Sequence, residues 1–260
     1  MSTLRTPLVM GVLNVTPDSF FDGGRYFDAE AATARGMQMI AEGVDIVDVG
    51  GESTRPGADV VSAEEECRRV LPVIKALSPH VRVSIDTSKE LVAKAAIDNG
   101  ATLVNDVTAS LSKLAASERV GWVAMHMQGN PRTMQKDPHY TDAVAEVLEE
   151  LIVRANKATE EGVSEVWIDP GIGFGKTFDH NLSLLGALDQ FVETGFPVMI
   201  GVSRKQFLGT LVGGSGPEER MDASVTSAVW AATQGIGMVR VHDVAQTVMA
   251  MRLIGEEVSP

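Results

Sequence analysis

Residues 169–176 read Asp169-Pro-Gly-Ile-Gly-Phe-Gly-Lys176, a carboxylate placed directly after the apolar run Val166-Trp167-Ile168. That run reads as a short buried strand. Pro170 and three glycines stop the strand and leave backbone free to approach a ligand closely. A lone glycine-rich loop of this kind is a weak signal, compatible with a phosphate cradle or a plain turn. Its weight depends on whether other strands end the same way. Here they do: further apolar runs stop at Asn14, at Asp48 with Glu52 beyond it, at Asp86, Asn105 and His126, at Ser203-Arg204-Lys205, and at Arg240 with His242. A single Asp after a strand is most simply a cap on the next helix. Eight strand ends that all carry polar groups point to an enzyme.

The groups sort by chemistry. Asp86, Asn105, Asp169 and Lys205 suit a flat polar heterocycle, because carboxylates accept from an N–C–N edge and lysine donates to a carbonyl. Asn14, Thr54, Arg55, Arg240 and His242 suit an anionic, phosphate-bearing moiety. Asn14 also offers a hard oxygen of the kind a water-rich Mg²⁺ uses alongside substrate phosphates.

The elements that must position these groups alternate strictly. Strands are predicted at 8–13, 45–49, 81–85, 102–104, 122–125, 166–168, 197–202 and 237–241. Helices are predicted at 29–43, from a Ser62 cap to 77, up to 100, and at 143–162, 180–193, 217–235 and 244–254. Alternating β and α elements imply a parallel sheet. Eight repeats over residues 1–260 match one (β/α)₈ TIM barrel of the α/β class, with the strand C-termini meeting at a single mouth. An open doubly wound sheet needs fewer strands and is the weaker match.

Composition narrows the class further. The formal net charge of −13 argues against a sequence-independent nucleic-acid binder. Cys67 is the only cysteine, which excludes an intrachain disulfide or a cysteine metal cluster. No signal peptide and no apolar run of membrane-spanning length stands out, so a cytoplasmic protein with no membrane partner is expected. The twelve methionines fall mostly at core spacing.

Taken together, Gly11-Val-Leu-Asn-Val-Thr-Pro-Asp-Ser-Phe20, Asp48-Val-Gly-Gly-Glu-Ser-Thr-Arg-Pro-Gly57, Ser84-Ile-Asp-Thr87, Asn105-Asp-Val107 and Met125-His-Met-Gln-Gly129 resemble the dihydropteroate synthase family. So do residues 169–176, Ser203-Arg-Lys205 and Arg240-Val-His-Asp243. The resemblance runs over nearly the whole chain and in order. It implies a pterin-binding barrel that joins 7,8-dihydropterin-6-ylmethyl diphosphate to 4-aminobenzoate, releasing diphosphate and forming 7,8-dihydropteroate. By that likeness Asp86, Asn105, Asp169 and Lys205 hold the pterin, Met125 and Phe174 pack on its faces, and Val107 lies among the substrate contacts. Asn14 reaches the diphosphate through Mg²⁺, the implied cofactor. Thr54, Arg55, Arg240 and His242 meet the diphosphate oxygens, and Phe20, Pro56, Ser203 and Lys205 shape the aminobenzoate site. Asp86, Lys205, Arg55 and Asn14 are the implied catalytic set, and a homodimer through the later helices is the implied assembly.

Two positions depart from the family pattern near the aminobenzoate site: Phe21, where a small polar residue is common, and Gln206, where Ser is common. His80, His139 and His180 are expected at the surface or in caps. Two other readings compete. A pterin-binding methyltransferase would lack the Ser53-Thr54-Arg55-Pro56 loop and the Ser203-Arg204-Lys205 set. A non-catalytic pterin-binding paralogue would have lost Asn14, Asp86, Lys205 or Arg55, and all four are present.

Overall fold

The structure, a computed structural model, describes residues 6–16, 27–53, 60–131, 133–214 and 216–255. Its elements are β1 (Leu8–Asn14), α1 (Phe27–Glu42), β2 (Ile46–Gly50), α2 (Ala63–Leu77), β3 (Arg82–Asp86), α3 (Glu90–Asp98), β4 (Leu103–Asp106), α4 (Ser112–Glu118) and β5 (Gly121–Met125). They continue with α5 (Ala143–Glu160), β6 (Val166–Asp169), α6 (Phe178–Gly186), α7 (Leu188–Val192), β7 (Met199–Ile200), α8 (Gln206–Leu211), a 3₁₀ turn (Pro217–Arg220), α9 (Met221–Thr233), β8 (Met238–Val241) and α10 (Val244–Gly255). All strand pairs are parallel, in the order β6-β5-β4-β3-β2-β1-β8-β7. A parallel bridge between Ile168 and Val198 joins the two ends into a nearly closed (β/α)₈ barrel.

Period-two alternation along each strand divides the apolar residues between two cores. Residues such as Val47, Val49, Ile85, Val104 and Val239 face outward and pack under the helices. Met10, Ile46, Leu103, Val123, Trp167, Met199 and Met238 face inward and plug the lower half of the barrel. Each fully buried side chain of this size contributes about 1.5–3 kcal/mol. One step of two residues beyond the plug, the same faces of β2, β4, β6 and β8 carry Asp48, Asn105, Asp169 and Arg240. The plug therefore serves as the floor of the site.

Local chemistry sets the element ends. Ser62 accepts the Glu65 N–H at 3.2 Å and starts α2, as its cap position predicts. The Glu65 carboxylate turns instead to Arg68 and Arg69, whose hydrogen bonds hold it at about 2, well below the usual carboxylate range. Four elements differ from the sequence reading. The short α4 and α8 were not predicted, because one carries two serines and the other an internal glycine in six residues. The helix predicted over 180–193 starts at Phe178 under a Thr177 cap and breaks at Ala187, next to Gly186. The strand predicted over 197–202 shortens to Met199–Ile200 with the single bridge at Val198 before it, and Pro197 has no N–H to donate to the ladder. Among the described residues no helix is long and apolar enough to cross a membrane.

Candidate active site

β1, β2 and β3 run in register at the mouth, with Asn14 opposite Gly50 and Gly50 opposite Asp86. Gly50 has no side chain, and a methyl group there would lie 3.7 Å from Asn14 Oδ1 and 3.5 Å from Asp86 Cβ. The missing side chain leaves a notch between an amide and a carboxylate. Among the described residues the Asn14 side chain makes no hydrogen bond.

Below the notch lies a buried polar network centred on Asp48. One oxygen of Asp48 accepts from Asn105 Nδ2 at 2.9 Å and from Arg240 Nε at 2.7 Å. The other end of the Arg240 guanidinium donates to Asp86 at 2.6 Å. Burial alone would lower Arg240, but Asp48 and Asp86 hold it above its ordinary value. Burial pushes the Asp86 carboxyl well above the usual carboxylate range, against the pull of Arg240. The sequence reading placed Arg240 on the diphosphate; here its Nε and Nη2 donate to carboxylates.

The opposite wall is built from β6 and the loop after it. Asp169 is buried, with one oxygen accepting the Gly171 N–H at 2.8 Å and the second uncommitted among the described residues. Burial raises this carboxyl, and Lys205 opposes the rise. Lys205 donates to the Ile172 carbonyl and its ammonium lies 4.3 Å from the centre of the Phe174 ring. Burial pushes Lys205 down to about 8, with Asp169 pulling the other way. Met125, at the inward end of β5, and Val107, just past β4, are buried. The mouth thus offers a flat-ring site: acceptors at Asp86 and Asp169, an amide at Asn105, a cation at Lys205 and an aromatic face at Phe174.

At β8, Ser203 accepts the His242 N–H at 3.2 Å and lies 3.4 Å from His242 Nδ1. Arg204 turns away from them to make a two-pronged contact with Asp243 at 2.7 and 3.1 Å. Its φ of +59° is unusual for a residue with a side chain, and the Asp243 contact together with its N–H donated to Ser224 secures it. This turn lets Ser203 and Lys205 flank the mouth.

Four groups at or beyond the strand ends do not enter the mouth. His126 follows the inward Met125 by one residue, so it points outward, where its Nε2 meets Glu150 at 3.1 Å. The expectation that every strand delivers its polar group to the mouth fails here by that one-residue step. Glu52 is tied to Lys89 at 2.5 Å and to the Val61 N–H. Lys176 is buried among carbonyls rather than presented to a ligand. Asp106 is a cap, accepting the N–H groups of Thr108, Ser110 and Leu111. His180 caps α6 with Thr177, as expected of it. Phe20, Phe21, Thr54, Arg55 and Pro56 lie outside the described residues. Asp48 had no assigned role in the sequence reading; its signal was a lone carboxylate inside the apolar run Ile46-Val47-Asp48-Val49.

The family model of pterin binding enzymes matches residues 10–242. The chain is 45% identical to dihydropteroate synthase of Escherichia coli (strain K12), over 96% of this chain and 92% of that one. Among solved structures it superposes on Xanthomonas albilineans dihydropteroate synthase with 4-aminobenzoic acid with a TM-score of 0.90 and 45% identity, covering 96% of this chain and 92% of the other. The same enzyme in complex with 7,8-dihydropteroate gives a TM-score of 0.86 and 42% identity, with 96% and 93% covered. The barrel, its polar mouth and these matches agree, and the chain belongs to the dihydropteroate synthase family of pterin-binding enzymes.

Proposed function

We propose that this chain condenses 7,8-dihydropterin-6-ylmethyl diphosphate with 4-aminobenzoate to give 7,8-dihydropteroate and diphosphate. The observation that carries this reading is the pairing of buried acceptors with one cation around a flat slot, supported by relatives solved with 4-aminobenzoic acid and with 7,8-dihydropteroate. The uncommitted oxygen of Asp169 accepts from the pterin N–C–N edge, Lys205 donates to the ring carbonyl, and Asn105 adds an amide. Phe174 and Met125 cover the ring faces.

The aryl amine is a weak nucleophile, so the barrier is lowered at the leaving group. The methylene C–O bond breaks first, the electron pair departs with diphosphate, and the amine then attacks the delocalised cation and loses its proton. Asp86, at the mouth beside the notch, stabilises that cation electrostatically. His242 is assigned to the diphosphate, as the resemblance implies also for Thr54 and Arg55, and a site closed to water would spare the cation for the amine.

Mg²⁺ fits this site through Asn14. The amide is uncommitted among the described residues, and one hard oxygen suffices for an ion that keeps waters and would take its remaining ligands from a diphosphate. Among the described residues no group of three or more His, Cys, Asp or Glu could hold a metal ion. When bound, it would neutralise charge on the leaving diphosphate.

Purified chain, both substrates and Mg²⁺ should release diphosphate in proportion to dihydropteroate formed. Folded protein that releases none sinks the catalytic reading and favours a non-catalytic pterin binder. The pH profile is a second check. Lys205 is charged below about 8, so kcat/KM for the pterin substrate should fall as pH rises through that value. Lys205→Met should lose that alkaline limb; a limb unchanged in the variant would assign it to another group.

The proposal includes a homodimer in the cytoplasm. Leu211 and Val212 at the end of α8 and Trp230 on α9 are each about half exposed, and α8 and α9 both pack on the same 3₁₀ turn. Trp230→Glu is expected to shift the chain from dimer to monomer in sedimentation at micromolar concentration. A variant that stays dimeric places the interface elsewhere.

A further inference from the structure

The loops after β5 and β6 are joined at backbone contact. Gly171, with φ +62°, presses against the His126 carbonyl so closely that a methyl group would lie 1.9 Å from that oxygen. Gly175, with φ +59°, meets the Gln128 backbone in the same way, at 2.6 Å. Gln135 donates to the Gly173 carbonyl at 2.8 Å and the Tyr140 hydroxyl to the Gly175 carbonyl at 2.9 Å.

Lys176 sits at the centre of this contact, 3% exposed. Its ammonium donates to the carbonyls of Gly171 and Phe174 at 3.0 Å each and of His126 at 3.3 Å, and lies 3.0 Å from His126 Nδ1. Three donors thus gather carbonyls from both loops, work that no neutral side chain of that length performs. Burial pushes Lys176 down to about 7 and His126 down to about 3, so the amine group lies beside a neutral imidazole.

The loop so gathered is the one that holds Lys205. Ile172 accepts from the Lys205 ammonium, Phe174 lies under it, and a methyl group at Gly173 would lie 2.7 Å from Lys205 Cδ. We infer that Lys176 is a positioning residue for the pterin slot: it coils the loop after β6 around its own ammonium, locks it to the loop after β5, and so fixes Lys205 and Phe174 against Asp169. This rests on the pterin-binding reading proposed above.

The test compares wild type with Lys176→Met, Tyr140→Phe and Gln135→Ala, measuring melting, steady-state constants for both substrates, and calorimetric binding of 7,8-dihydropterin-6-ylmethyl diphosphate. Tyr140→Phe and Gln135→Ala each remove one tie between the loops and should raise the pterin KM about 3- to 10-fold. Lys176→Met should raise it more than about 30-fold, while the aminobenzoate KM moves less than about threefold. A residue that only supports folding would lower kcat with the active fraction and leave both KM values alone. That result, or an unchanged pterin KM in the folded variants, overturns the inference. If Lys176→Met does not fold, the two mild variants decide. Wild type that binds no pterin diphosphate overturns the functional reading and this inference with it; normal wild-type binding with unaffected variants overturns the inference alone.

Discussion

Asp169→Asn is expected to abolish measurable pterin binding while the barrel still folds. The Asn side chain keeps an oxygen for the Gly171 N–H, so the turn after β6 retains its tie. What changes is the second oxygen, which becomes an NH₂ group facing the donors of the ring's N–C–N edge. Two charge-assisted hydrogen bonds at about 1.5–3 kcal/mol each are lost, and donor meets donor in a buried slot. The combined loss corresponds to a drop in affinity of about 10²- to 10⁴-fold. Burial already disfavours the Asp169 charge, so the variant gives up little folding energy and its melting should remain cooperative. Calorimetry with a pterin ligand decides it: affinity within a few-fold of wild type would place the heterocycle elsewhere.

Arg240→Met should have the largest effect on stability. The guanidinium is the cation shared by Asp48, which is fully buried, and by Asp86. Removing one partner of a buried ionic network costs about 3–5 kcal/mol, because the remaining charges are left uncompensated. For a chain of this size that lowers Tm by about 6–20 °C. The pH dependence has a definite sign. Without Arg240 the folded-state pKa of Asp86 rises further above the unfolded value of about 4, so the folded state binds more protons. Stability then falls as pH rises through that window, and the deficit should shrink between pH 8 and pH 5. Melting of wild type and variant at both pH values tests this. A variant as stable as wild type would show that the network contributes nothing to the fold.

The sequence made the architecture legible because a barrel of this kind repeats one local unit. Apolar runs, glycine stops and a serine cap are all short-range features, and eight repetitions average out errors in any one. Elements that lack that local signal were lost: α4, α8, the break at Ala187 and the shortened β7. Glycines at 171 and 175 read as freedom to approach a ligand; in the structure they approach the loop after β5 instead. The sequence could not distinguish these, since both uses require the same positive φ.

Residue types and order alone determined that polar groups cluster at strand ends, that Asp86, Asn105, Asp169 and Lys205 form a set suited to a heterocycle, and that the chain resembles a pterin-binding family. Only the tertiary structure decided how those groups are used. A one-residue step sends Met125 inward and His126 outward, which depends on where each strand's pleat meets the barrel. Asp48 becomes the hub of the site through contacts 57 residues away to Asn105 and 192 residues away to Arg240. Lys176, given no role from sequence, becomes the centre of a wall because carbonyls from two loops converge on it. Charge type is written locally, but pairing depends on closure of the barrel, which brings β8 beside β1 and sets Arg240 among the carboxylates of β2 and β3.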